Sequence, residues 1–122
     1  MEKLKPDAIA PDGAEIYFRE LGAKRASLVE VVLAPGGVSR PVQHRTVEEV
    51  WYFLGGQGEV WVGGKTTRVA ADSTVLIPTG SPFQFRTLGE EPLRFLCFTS
   101  PPWPGDSEAI RVEEGGLGEP TV

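Results

Sequence analysis

The sequence predicts an all-β fold, a sandwich or barrel of about eight short strands. Three observations carry this. The 15 glycines and 11 prolines interrupt the chain so often that few windows could hold a helix of three turns. The runs between the breaks are rich in β-branched and aromatic residues and recur about every ten residues. Two glycine-rich turns, "GGQG" at 55–58 and "GGK" at 63–65, supply the positive-φ positions that tight hairpins need.

The elements follow in order. "EIYFR" at 15–19 and "SLVEVVL" at 27–33 are apolar runs of strand length. "EVWYFL" at 49–54, "EVWV" at 59–62 and "TRV" at 67–69 are joined by the two turns into an antiparallel meander. "TVLI" at 74–77, "FQFR" at 83–86 and "LRFLCFTS" at 93–100 complete the set. The 122 residues, 40% of them hydrophobic, suit a single domain with one core, which needs neither disulfide nor structural metal to fold. Residues 1–13 and 101–122 are polar and proline- or glycine-rich, so they are expected to be an arm and a tail flanking a core at about 15–100. Their apolar members Trp103, Ile110 and Val112 are candidates to dock on a neighbour.

Charge and cysteine content narrow the function classes. The net charge of −5 is scattered, and no lysine/arginine cluster tracks phosphates, so neither nucleic acid nor a membrane surface is an expected partner. No stretch approaches the ~20 apolar residues of a membrane-spanning helix. Cys97 has no second cysteine to pair with and no charged-then-apolar leader opens the chain, so a cytoplasmic location is expected. Within "RFLCFTS", Cys97 reads as an inert buried thiol. Arg40 and Arg45 read as surface charges.

One histidine, His44, stands five residues before Glu49. Side chains alternate along a strand, so Glu49, Trp51 and Phe53 share one face and Val50, Tyr52 and Leu54 the other. Both faces are apolar, which predicts that the strand is covered on each side, the back by another strand or subunit. A buried Glu49 must be neutral or paired, and His44 is the nearest candidate partner in sequence. An ionised Glu49 within hydrogen-bonding reach is the expected arrangement. The structural alternative is that His44 bonds only a carbonyl and Glu49 only an arginine at the rim.

These residues carry a resemblance. From Gly36 onward the chain is similar to the first motif of the cupins, G(X)5HXH(X)3,4E(X)6G: Gly36 takes the opening glycine, His44 the second histidine, Glu49 the glutamate and Gly56 the closing glycine. Val42 falls on the first histidine. The second motif, G(X)5PXG(X)2H(X)3N, is similar to residues 72–87, which keep Pro78 and Gly80 but place Asp72, Phe83 and Thr87 on the glycine, histidine and asparagine. The resemblance spans most of 27–102 and implies a cupin-type double-stranded β-helix, or jelly-roll barrel. Metal-bearing cupins use two histidines and a glutamate from the first motif and a histidine from the second, and two of those four are absent here. The expectation is no tightly bound metal cofactor, with His44 and Glu49 the ligands of any weakly held divalent ion.

The resemblance leaves two classes open. One is a module that binds a small organic ligand inside the barrel, with Val42, His44, Glu49, Trp51, Phe53, Phe83 and Phe85 as candidate contacts. The other is a metal-dependent enzyme, similar to sugar-phosphate isomerases or dioxygenases, using His44 and Glu49. Between them lies a metal-free enzyme in which Glu49 takes a proton and His44 polarises the substrate. The residues leave open whether the protein is an enzyme. For the four aromatic residues the structural alternative is that they simply fill a small barrel. Small cupins are usually dimers, so a homodimer is expected.

Overall fold

The computed structural model describes residues 5–122; positions 1–4 of the expected N-terminal arm lie outside the described residues. Eleven strands form among the described residues: β1 (Ala8–Ile9), β2 (Glu15–Glu20), β3 (Ser27–Leu33), β4 (Val42–His44), β5 (Glu48–Gly55), β6 (Gln57–Val62), β7 (Lys65–Ala70), β8 (Thr74–Ile77), β9 (Phe83–Leu88), β10 (Leu93–Ser100) and β11 (Ala109–Arg111). Every strand expected from the sequence is present. One sheet has the order β1-β2-β3-β10-β5-β8 and the other β11-β4-β9-β6-β7. The strand pairings among the described residues are antiparallel, and the chain passes back and forth between the sheets as a jelly roll does.

The β5–β6 turn shows why glycine is needed there. Gly56 has φ 77°, and a side chain on it would run into the carbonyl of Pro92 at the entry to β10. The position matching the second motif's first glycine holds Asp72, also at positive φ (76°), with its carboxylate accepting a hydrogen bond from Tyr52.

The core lies between the sheets and is aromatic. Trp51 stacks on Phe95 with centroids 4.3 Å apart and receives the edges of Phe83 and Phe85 at 5.4 and 5.2 Å. Phe53 packs against Phe95 at 4.8 Å and presents an edge contact to Trp51 at 6.3 Å. Truncating any one of these rings to alanine is worth about 3–5 kcal/mol in a core of this kind.

One expectation is corrected. Among the described residues, parts of the segments outside 15–100 are built into the barrel. β1 pairs with β2, and β11 pairs with β4 by the register Ala109↔His44 and Arg111↔Val42. Polar contacts do much of the anchoring. The buried Gln84 side chain donates to the carbonyls of Ser39 and Gly118 and accepts from the Leu117 N–H. Buried Glu108 accepts from the Thr46 N–H and hydroxyl and from the Val47 N–H at 2.5, 2.6 and 3.0 Å. Trp103, expected on a neighbour, packs on its own barrel against His44.

The back of β5 is expected to be covered by another strand or subunit. Glu49, Trp51 and Phe53 point inward and are buried, but Val50 and Tyr52 are 42% and 41% exposed on the outer face. Among the described residues no strand covers that face.

Candidate functional site

The concave face of the six-stranded sheet does not pack fully against its partner. It leaves a cavity of about 340 Å³, floored by Val31, Trp51, Phe95 and Cys97 and flanked by Val42 and His44 of β4. Two covers close it: residues 8–12 on one side, and the segment after β10 with Pro102, Trp103 and Asp106 on the other. That volume lies at the lower end of the range for small-molecule sites, about 300–1,000 Å³.

His44 enters the cavity because β4 is extended after Pro41 and alternation turns Val42 and His44 the same way, with Gln43 opposed. The imidazole is 4% exposed and lies edge-on to Phe83 (5.0 Å) and Trp103 (5.3 Å). Its Nδ1 is buried with no hydrogen-bond partner. Glu49 is 6% exposed. Its Oε1 accepts from the Trp51 indole N–H at 2.9 Å and its Oε2 from the Thr99 hydroxyl at 3.0 Å. The expected His44–Glu49 pair is therefore not formed: the carboxylate is satisfied by its own strand and by β10, and the imidazole is framed by aromatic edges. Both residues line the same cavity as independent polar groups.

The candidate contacts divide. Val42, His44, Glu49 and Trp51 line the cavity. Phe53, Phe83 and Phe85 are fully buried and lie outside the lining, where they support Trp51 and Phe95 from behind.

Several lining residues carry no sequence signal. Asp12 is the most consequential. It sits in "PDG", which reads as an ordinary turn, and its Oδ1 accepts the Ala14 N–H at 3.0 Å. Burial is the largest influence on its carboxyl and, with the nearby charge of Glu49, pushes it up from 3.8 to about 7 against the pull of the Ala14 N–H and Arg40. Cys97 is likewise pushed well above the ordinary thiol range, first by burial and then by Glu49. Glu108 moves the other way. Burial opposes its charge, yet hydrogen bonds from Thr46 and Val47 and the proximity of His44 hold it below its usual range.

The residues present do not fit the metal that the motif resemblance raises. Val42 and Phe83 face each other in register at two ligand positions and carry no lone pair. Among the described residues, no group of three or more histidine, cysteine, aspartate or glutamate side chains is gathered to hold an ion. One unpartnered imidazole nitrogen is short of the three or more protein ligands usual for a transition metal.

Comparison with known proteins agrees with the fold. A cupin-domain family model matches residues 29–99. An uncharacterized protein of Methanocaldococcus jannaschii is 32% identical, with 89% of this chain and 90% of that protein covered. The mannose-1-phosphate guanylyltransferase of Klebsiella pneumoniae is 28% identical over 74% of this chain, but the match spans only 19% of that enzyme. Among solved structures, a protein of Thermotoga maritima described as a predicted oxalate decarboxylase superposes with a TM-score of 0.69 at 20% identity, covering 80% of this chain and 93% of that one. At that identity the likeness is one of fold. The family match across β3 to β10, the jelly-roll topology and the Methanocaldococcus jannaschii relative lead to one conclusion: the chain belongs to the cupin-domain family.

Proposed function

We propose that this cupin is a metal-free small-molecule-binding protein whose ligand occupies the cavity between Trp51, His44 and the two covers. The observation that carries the reading is a mostly apolar cavity with His44, whose buried Nδ1 has no hydrogen-bond partner, among its lining residues. A buried polar atom left without a partner costs about 1–3 kcal/mol, a cost that a ligand group can remove on binding. Glu49, fixed from two sides by Trp51 and Thr99, offers a second, preorganised contact.

The test is ligand-observed NMR of a fragment library against wild type and His44→Phe, a change that fits the aromatic surroundings of the ring. Fragments that bind wild type and release from the variant support the reading. Fragments indifferent to the change overturn it, as does stoichiometric retention of Mn, Fe, Ni or Zn after incubation and desalting.

We further propose that a second copy covers the back of the six-stranded sheet. Leu28, Phe98, Val50 and Leu76 stand in register across β3, β10, β5 and β8, and the last three are 46%, 42% and 56% exposed. Such a contiguous apolar row is uncommon on a monomer, and two copies related by a two-fold axis bury it on each other.

A further inference from the structure

The cavity has a one-sided charge inventory. Asp12, Glu49 and Asp106 reach it from three separate parts of the chain: the turn before β2, strand β5, and the short helical turn at 106–108. Among the described residues that line it there is no lysine and no arginine. Arg40 attracts Asp12, but its Nε is committed to the Val122 carbonyl and the residue is not part of the lining. A dicarboxylate or phosphate ester would meet like charge with no lysine or arginine among the described lining residues to receive it, at a cost that rises as water is excluded.

The acceptors, by contrast, have capacity to spare. A carboxylate offers about four lone-pair sites. Glu49 has one hydrogen bond on each oxygen, and Asp12 accepts the Ala14 N–H on Oδ1. His44 Nδ1 can accept one more N–H when the ring proton sits on Nε2. Around these acceptors stand the rings of Trp51, Trp103, Phe95 and Phe18. Aromatic faces with carboxylates among them form the environment in which an organic cation is held, by hydrogen bonds to its N–H groups and by attraction to ring faces.

Resting on the reading that this cavity binds a small molecule, we propose that its ligand is a small organic cation: a primary or secondary amine carried on an apolar or aromatic body, with the ammonium group received by Asp12 and Glu49. The amine's body lies on Trp51 and Phe95, and the size of the cavity restricts it to a compact molecule. Asp12 faces Glu49 and Cys97 in the cavity and Arg40 behind it, so the arriving positive charge favours its ionised form and a proton leaves as the amine binds.

The test is calorimetric titration of the full chain at pH 8 and low salt with three ligands of matched shape: 2-phenylethylamine, 2-phenylethanol and phenylacetate. The amine is expected to bind at least about tenfold tighter than the alcohol, with phenylacetate weakest, since a partly desolvated charge pair outweighs a neutral hydrogen bond by that much or more. Asp12→Asn, which keeps the acceptor for Ala14, is expected to remove about tenfold of the amine's affinity and leave the alcohol unchanged. If the alcohol equals or exceeds the amine, or if the variant weakens both alike, the cation proposal is overturned while small-molecule binding stands. If none of the three binds, the cation proposal is overturned, and the fragment screen with His44→Phe decides small-molecule binding separately. The wild-type comparison decides the matter even if the variant folds poorly.

Discussion

Asp12→Asn should also change how stability depends on pH. In the folded protein the Asp12 carboxyl is pushed from 3.8 to about 7, chiefly by burial. A folded-state value raised in this way means that the native state holds its proton more tightly than the unfolded chain. The associated stability is fully present below about pH 4 and is lost as pH climbs to about 7. Each tenfold change in proton affinity is worth about 1.36 kcal/mol, so the whole displacement corresponds to about 4 kcal/mol. Asp12 is only part-buried as a residue, and water reaching it reduces the effect to about half, near 2 kcal/mol. Asparagine cannot ionise and retains the Oδ1 that receives the Ala14 N–H. The variant should therefore match wild type at pH 4 and exceed it by about 2 kcal/mol at pH 8.5. Read by urea denaturation of ligand-free protein, that is a midpoint shift of about 1 M. A wild-type stability that stays flat from pH 4 to 8.5, or a variant weakened equally at every pH, would refute the assignment of a buried, proton-holding Asp12.

Three further outcomes are expected. Glu108→Ala strands the N–H groups of Thr46 and Val47 and should cost about 2–4 kcal/mol by thermal or chemical unfolding. Because Glu108 is held below 4.5, the stability it contributes is present above that value and fades as pH falls through the lower folded value, so the gap between variant and wild type should narrow in acid. Cys97, buried and pushed well above the ordinary thiol range, should resist iodoacetamide at pH 8 in the native protein and react fully in denaturant; rapid native labelling would show that the cavity floor is open to reagents. The paired change Val50→Glu and Leu76→Glu on the outer sheet face should convert a sedimenting dimer to monomer, and a wild type that sediments as monomer at high concentration removes the basis for a second copy there.

What was legible in the sequence follows the kind of force involved. Apolar alternation and glycine turns announce strands because burial and positive φ leave marks in residue type, and β5 to β7 appear where "EVWYFL", "GGQG" and "GGK" place them. β4 was invisible as an element: it has three residues, "VQH", after a proline, and it is ordered by pairing with β11 and β9. The last twenty-odd residues look like a tail because Gln84 and Glu108 hold them largely through hydrogen bonds, which leave no hydrophobic period. For the site, the first motif located His44 and Glu49 on one cavity, but proximity in sequence suggested a pair that the Trp51 indole and the Thr99 hydroxyl prevent. Asp12 escaped notice because a carboxylate between proline and glycine is the commonest of turn residues, and only the tertiary fold turns it into a binding group.

The cavity's construction separates what keeps the barrel folded from what touches a ligand. Phe53, Phe83 and Phe85 stabilise the barrel from behind the cavity floor, whereas Ile9, Pro102 and Trp103 meet the cavity from the covers. Substitutions on the covers fall where half-buried or exposed side chains tolerate change, and those in the floor's backing do not. Selection, in nature or in the laboratory, can thus retune which molecule is accepted through residues 8–12 and 102–106 while the aromatic stack is left alone. A library restricted to those two segments is the economical place to look for new ligands on this barrel.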